Sequence, residues 1–451
     1  MRQIIPILSI FILLIATGCE KKDNSTTTSP YAQVTAFTFA SDTANVGLTA
    51  ATYKVEERSD TGLIYNADSL RFGTSLQRVV PRVTYKTAPG AATFFLPDTT
   101  IQSTGSDTLD FTKSPIYLYV KSSDLQHDKW YRLSFTVHQV DPDLYIWEQL
   151  TPQVFKAQMC DEKAFWTDNG LALFVNNGYK TTLYRSSDGV VWREENTNGL
   201  PLQCRVRNIV QCGDTMYYAD GDNLYKTADC VYWTASDYSG YPFEFVNMLM
   251  AFHNKAWCIL RNRTTQQLLL GYIQQGEVVP AEDIVDLNRS NVLPETFPVS
   301  DFAALSFTSS SERPRAMVIG GRSQDGTALN TRWNIEYEPS AGYRIKNFSI
   351  EQPSFRSLTG MSVIQYNRQL WMFGGIDNDI SWRSDILYSD DEGMHWQVPD
   401  TTKNSLPKAV HARQKQTVVV DPSNRIYLIG GQTYTETFSD VYCGYLNSIN
   451  W

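Results

Sequence analysis

The chain has 451 residues, a formal charge of −9 and 19% charged residues. That length exceeds what one hydrophobic core usually serves, so more than one domain is expected. An acidic chain lacks the basic surface that nucleic acid or an anionic bilayer attracts, which argues against both as electrostatic partners.

Residues 1–18 carry Arg2, an apolar run from Ile4 to Ala16, and then Thr17-Gly18 ahead of Cys19. The run is short for a membrane span and reads as a secretory signal. Small residues directly before a cysteine resemble the lipobox of bacterial lipoproteins, and the resemblance implies a lipid on Cys19. Residues 19–30 are polar and rich in Ser and Thr, the composition of a flexible tether. A lipid there would hold the body of the protein to a membrane, with the outer membrane of a cell envelope as the expected location. The remaining cysteines, Cys160, Cys204, Cys212, Cys230, Cys258 and Cys443, have the spacing of no compact disulfide scaffold. They are expected as buried thiols, with no pairing assigned.

Residues 31–140 read as short strands at 34–39, 79–85, 92–96, 108–111, 116–120 and 131–137, separated by turn residues and without helical period. This pattern predicts an immunoglobulin-like β-sandwich. Asp141-Pro142-Asp143 ends it, since proline cannot donate to a sheet ladder.

From residue 144 the chain repeats itself. Ile319-Gly320-Gly321, Phe373-Gly374-Gly375 and Ile429-Gly430-Gly431 are apolar runs that stop at a glycine doublet. Leu183–Trp192 recurs as Leu224–Trp233, and a related turn has the spacing Ser389-x-Asp391-x-Gly393-x-x-Trp396. Units of this length cannot bury their apolar faces alone and must stack on copies of themselves, as propeller blades do. The doublets resemble kelch blades; the Ser-x-Asp-x-Gly-x-x-Trp turns resemble the Asp-box of sialidase-type propellers. Residues 144–451 are therefore predicted to form a six-bladed kelch/Asp-box-like β-propeller, and the whole chain is all-β. The blades are expected at 165–192, 206–233, 245–271, 302–348, 358–396 and 417–451, the third having neither signature. Trp451 would open an outer strand that the chain then lacks, so the strand-like run at 144–149 is expected to complete that blade and close the ring.

Ile64–Leu70, Val137–Asp143 and Phe297-Pro298-Val299 resemble a Bacteroidetes-type lipoprotein family of unknown function. The resemblance implies an N-terminal immunoglobulin-like domain and a C-terminal kelch-like propeller, and it carries no catalytic residue with it.

Asp188, Asp229 and Asp391 are expected to lock their turns, and Trp192, Trp233, Trp396 and Trp451 to pack between blades. The five histidines show no metal spacing, and no metal or cofactor is expected. The loops after the second strand of each blade gather on one propeller face, and they hold Tyr179, Arg263, Arg322, Asp325, Asp377, Asp379, Trp382, Arg383 and Tyr434. Aromatic faces beside guanidinium and carboxylate groups suit a glycan or protein ligand. A non-catalytic binding protein of the cell envelope is the function expected. A sialidase-like glycosidase or a kelch-type sugar-modifying enzyme is the alternative, although no nucleophile pair announces itself. The oligomeric state stays open.

The lipid anchor is directly checkable. Replacing Cys19 with Ser should release the protein from membrane pellets and abolish incorporation of labelled fatty acid. A variant that still sediments under high salt contradicts the anchor.

Overall fold

The computed structural model describes residues 29–156, 160–282, 284, 290–349 and 357–447. The signal, Cys19 and Trp451 lie outside them. The protein is nearly all β, and it divides into two compact units that meet in sequence between Asp141 and Pro142.

The first unit is a sandwich whose strands are shared unevenly between two sheets. Six strands run in the order Tyr53–Glu56, Thr61–Asn66, Asp128–Ser134, Ile116–Lys121, Ala91–Phe95 and Thr100–Gln102. Thr61–Asn66 lies parallel to Asp128–Ser134, while the other pairs are antiparallel. Val34–Phe39 and Pro81–Tyr85 form the second sheet. Alternation explains the core: Ile116, Leu118 and Val120 point inward, while Tyr117 and Tyr119 face Trp130 on the other side. Phe37, Phe39, Tyr53, Phe111 and Phe135 interlock edge to face and stacked across the two sheets. The strands at 53–56, 61–66 and 100–102 were absent from the sequence reading, and the expected strand at 108–111 is reduced to one bridge from Leu109 to Val79. There, the Asp110 carboxylate takes the Thr112 backbone N–H and bends the chain out of the ladder.

The second unit is a ring of six sheets. Blades 1 to 4 are four-stranded and begin with Asp161–Thr167, Val210–Cys212, Phe243–Phe252 and Ala303–Thr308. The third blade is complete, reaching Pro280 rather than ending at 271. Blade 5 has three strands, Ser362–Tyr366, Gln369–Phe373 and Ile386–Ser389, with a single outer bridge from Tyr388 to Gln397. Its segment 376–383, expected as an irregular loop, instead forms a small hairpin of Ile376–Asp377 with Ser381–Trp382. Asn378 and Asp379 supply the left-handed turn, which their short polar side chains tolerate.

Blade 6 contains Thr417–Val420, Ile426–Gln432 and Thr437–Leu446, and its outermost strand is Tyr145–Thr151. The two ends of the propeller are thus hydrogen-bonded in one sheet. Gly444 leaves room for the Trp147 ring to lie across it, and Tyr145 and Trp147 reach Trp371 and Phe373 of blade 5. Six apolar clusters follow, one at each junction from blades 1 and 2 round to blades 6 and 1. Trp233 packs on Phe174 of the preceding blade, and Trp396 joins the cluster between blades 4 and 5. All six described cysteines are free thiols, and burial pushes those of Cys160 and Cys204 up to about 12.

Removing Tyr145–Thr151 would bare the edge of Thr437–Leu446 and uncover Trp371 and Phe373. Each large apolar side chain so exposed costs about 1.5–3 kcal/mol. The truncated propeller should melt well below the intact one, as followed by near-ultraviolet circular dichroism. An unchanged melting temperature contradicts closure by this strand.

Candidate functional site

The inner strands of the six blades surround a cavity of about 890 Å³. Every blade contributes: Lys163 and Ala164, Asn208, Asn247 and Met248, Ala303 and Ala304, Ser362 and Val363, and Thr417 and Val418. Asn176, Asp220 and Gln432, at the ends of second strands, line it too, so it opens toward the loops that follow those strands.

Adjacent blades are stitched along the cavity wall. The Lys163 ammonium donates to the carbonyls of Arg207 and Ile209 at 2.8 and 2.6 Å. Ala164 N–H donates to the Thr417 hydroxyl at 3.0 Å, and the Asn247 amide to the Val299 carbonyl at 2.9 Å. Arg207 Nη1 reaches across to the Lys415 carbonyl at 2.6 Å. Four wall amides nevertheless keep a polar atom without a protein partner: Asn208 Nδ2, Asn247 Oδ1, Gln416 Oε1 and Gln432 Oε1. These atoms are buried beneath the accessible surface of the wall, where an unmade hydrogen bond costs stability.

Charge on the wall is mixed. Arg205 pairs with Asp220 at 2.8 Å and Lys415 with Asp301 at 3.2 Å. Asp161 accepts the Arg207 backbone N–H at 3.2 Å. Lys163 and Asp161 are partly accessible from the cavity yet enclosed by protein, and each is pushed toward its neutral form. Burial, then the neighbouring Arg207 guanidinium, lowers the Lys163 ammonium to about 7, and burial raises the Asp161 carboxyl above its usual range.

Behind the wall, each glycine doublet receives a side chain or backbone from the next blade. Gly374 faces Gln416, and Gly430 faces the Glu162 carboxylate, which accepts the Gly431 N–H. All six doublet glycines have positive φ; a side chain on the first of a pair would collide with the next blade, and one on the second with the start of its own blade. Glu162 is 3% exposed, and burial raises its carboxyl to about 8.

The residues singled out by the sequence fall into three groups. Arg322 pairs with Asp379 and approaches Asp301 at 3.6 Å, so it joins the cavity wall through a shared carboxylate. Trp382 sits edge-on against Tyr434 at 4.8 Å, joining blades 5 and 6. Arg383 is held by Asp385 at 2.8 Å and Asp377 at 3.5 Å, a half-buried cluster that braces the hairpin. The other three do not join these contacts. Asp325 closes its own turn through Ser323 and Thr327; Arg263 is engaged by Asp222, Glu244 and the Tyr241 carbonyl; Tyr179 stands 81% exposed. Among the described residues, no group of three or more His, Cys, Asp or Glu is placed to hold a metal ion.

A model described as the DUF6242 beta propeller domain matches residues 141–451, and one for the DUF6242 N-terminal domain, a domain of unknown function, matches 20–135. The chain belongs to the DUF6242 family. No curated protein sequence matches it. Among solved structures it is similar to one titled "Structure of YjhT", with 9% identity, 65% of this chain and 96% of that chain covered, and a TM-score of 0.46. The central polar cavity of this propeller has only a faint mark in the sequence. Its signal was the charged residues opening otherwise apolar inner strands, as in Asp161-Glu162-Lys163-Ala164-Phe165.

The three Asp-box aspartates do not line the cavity. Asp188 accepts the N–H groups of Val190 and Val191 at 2.8 and 3.1 Å; Asp229 and Asp391 repeat the arrangement. Those N–H bonds hold the Asp188 carboxyl below its ordinary 3.8. A depressed carboxyl contributes stability above its unfolded pKa and loses it as pH falls through the folded value. Asp188→Ala should therefore melt about 2–4 °C lower than wild type near neutral pH. The gap should close as the solution is acidified below about pH 4. A gap unchanged by acid contradicts the ionised cap.

Proposed function

We propose that the chain is a lipid-anchored binding protein of Bacteroidetes type, carried on Cys19 at the outer membrane. It takes a glycan or a peptide segment through the propeller face onto which the central cavity opens. The observation that carries this reading is the cavity wall itself, in which six blades converge and accessible amides such as Asn177 and Gln203 take part. Amides that both donate and accept match ligands dense in hydroxyl or amide groups. In this reading the Trp382–Tyr434 contact and the Arg322–Asp379 pair, in the loops of blades 4 to 6, add an aromatic face and charge beside the cavity.

A sugar-modifying reaction is the second reading. Lys163, lowered to about 7, is its motivating group. The two carbonyls bonded to that ammonium favour a role in holding charge rather than moving protons.

Gln203 lines the cavity and is exposed, so a bulky side chain there should not disturb packing. Gln203→Trp should lower affinity for a ligand identified on glycan and peptide arrays by about tenfold or more, with an unchanged melting temperature. A ligand whose affinity ignores both Gln203→Trp and Trp382→Ala binds elsewhere, and this reading then fails.

A further inference from the structure

The cavity wall is cationic on one side, in a chain that is acidic overall. Four basic side chains, Lys163, Arg205, Arg207 and Lys415, face three acidic ones, Asp161, Asp220 and Asp301. Two of the carboxylates are already held, Asp220 by Arg205 and Asp301 by Lys415 and Arg322. Asp161 alone is left to balance Arg207 and Lys163, and its contact with Arg207 is to the backbone N–H rather than the guanidinium.

Arg207 is the group with most to offer. Its guanidinium makes one hydrogen bond, from Nη1 to the Lys415 carbonyl, and among the described residues it forms no ion pair. A guanidinium carries five N–H donors in a planar fork matched to a carboxylate or sulfate. Asn177 and Gln203 line the same cavity with accessible amide side chains. Charge recognition and hydroxyl recognition therefore lie side by side on one wall.

We infer that the cavity takes an acidic saccharide, its anionic substituent on Arg207 and its hydroxyls on the accessible amides of Asn177 and Gln203. This inference rests on the cavity being the binding site. The titration of Lys163 follows from it. The groups facing its ammonium are Arg207, Asp161 and the Arg207 and Ile209 carbonyls, with the Phe165 ring beneath. Arg207 disfavours the charged form; an anion placed beside both would restore it, so binding draws a proton onto Lys163. Affinity then rises as pH falls.

The test uses titration calorimetry on the mature protein with three probes: oligogalacturonate for carboxylate, a sulfated glucosamine–uronate oligosaccharide for sulfate, and a neutral xylo-oligosaccharide. An acidic probe should bind more tightly than the neutral one. Its affinity should fall with added salt and rise several-fold from about pH 8 to about pH 6. Arg207→Gln should lose about tenfold or more, and Arg207→Lys less, with melting temperatures recorded for both. The stronger of the two acidic probes identifies the substituent. Cavity binding of the neutral probe that matches the acidic ones and ignores salt and Arg207→Gln overturns this inference while leaving the binding reading intact. Should none of the three bind, the inference is overturned; ligands of other chemistry found on the arrays decide the broader reading.

Discussion

A ring of sheets is stable only when it is closed, and here closure depends on one antiparallel pairing, Tyr145–Thr151 against Thr437–Leu446. Each of the six apolar clusters needs faces from two blades, so an open ring would leave one cluster half covered and one strand edge unpaired. The pairing supplies both. Thr151 reinforces it by donating its hydroxyl to the carbonyl of Gly189 in blade 1, and Ser439 does so through the Phe155 carbonyl. The cavity is a consequence of the same geometry. Six inner strands held at fixed angular spacing cannot meet at the axis, and the space they leave is lined by whatever their first residues happen to be.

The junction between blades 6 and 1 also holds a buried ion pair. Arg413 is buried and bidentate to Asp440, with further bonds to the Gly430 and His411 carbonyls and its guanidinium over the Phe438 ring. Deleting one partner of such a pair strands a charge in low dielectric, which typically costs 3–5 kcal/mol, or about a third of an ordinary domain's stability. Beside it, Glu162 occupies the place that Gln416 takes at the junction of blades 5 and 6. A carboxyl raised to about 8 behaves at neutral pH much like the amide it replaces. The junction that closes the propeller therefore keeps the hydrogen-bonding pattern of its neighbour with a group that alkali can ionise.

The propeller was legible because its signals are local and repeated. A glycine doublet with two positive φ values, or an aspartate two residues ahead of the N–H groups it accepts, is set by sequence neighbours and survives without tertiary context. The sandwich was less legible. Thr100–Gln102 is too short and polar to show alternation, and Thr61–Asn66 is recruited by a parallel partner that sequence pattern cannot name. Among the site residues, Arg322 pairs with Asp379 and Trp382 packs on Tyr434, while Arg263 and Asp325 are engaged by other partners. The cavity wall escaped notice for a physical reason. Arg207 and Lys415 are far apart in sequence and meet across the axis, so nothing in either segment marks the other.

Placing the first strand of the propeller at the outside of its last blade also shapes how the chain can reach its fold. The strand that Tyr145–Thr151 must pair with lies about 290 residues later, the last of the described strands, which gives the native topology a high contact order and a slow step. Until that step, a partly built ring presents a naked edge to its surroundings, open to pairing with other chains. A nascent chain of this design is safest when its ends meet late but quickly, and the aromatic faces of Tyr145 and Trp147, ready to dock on Trp371 and Phe373, give the ends an apolar surface on which to meet.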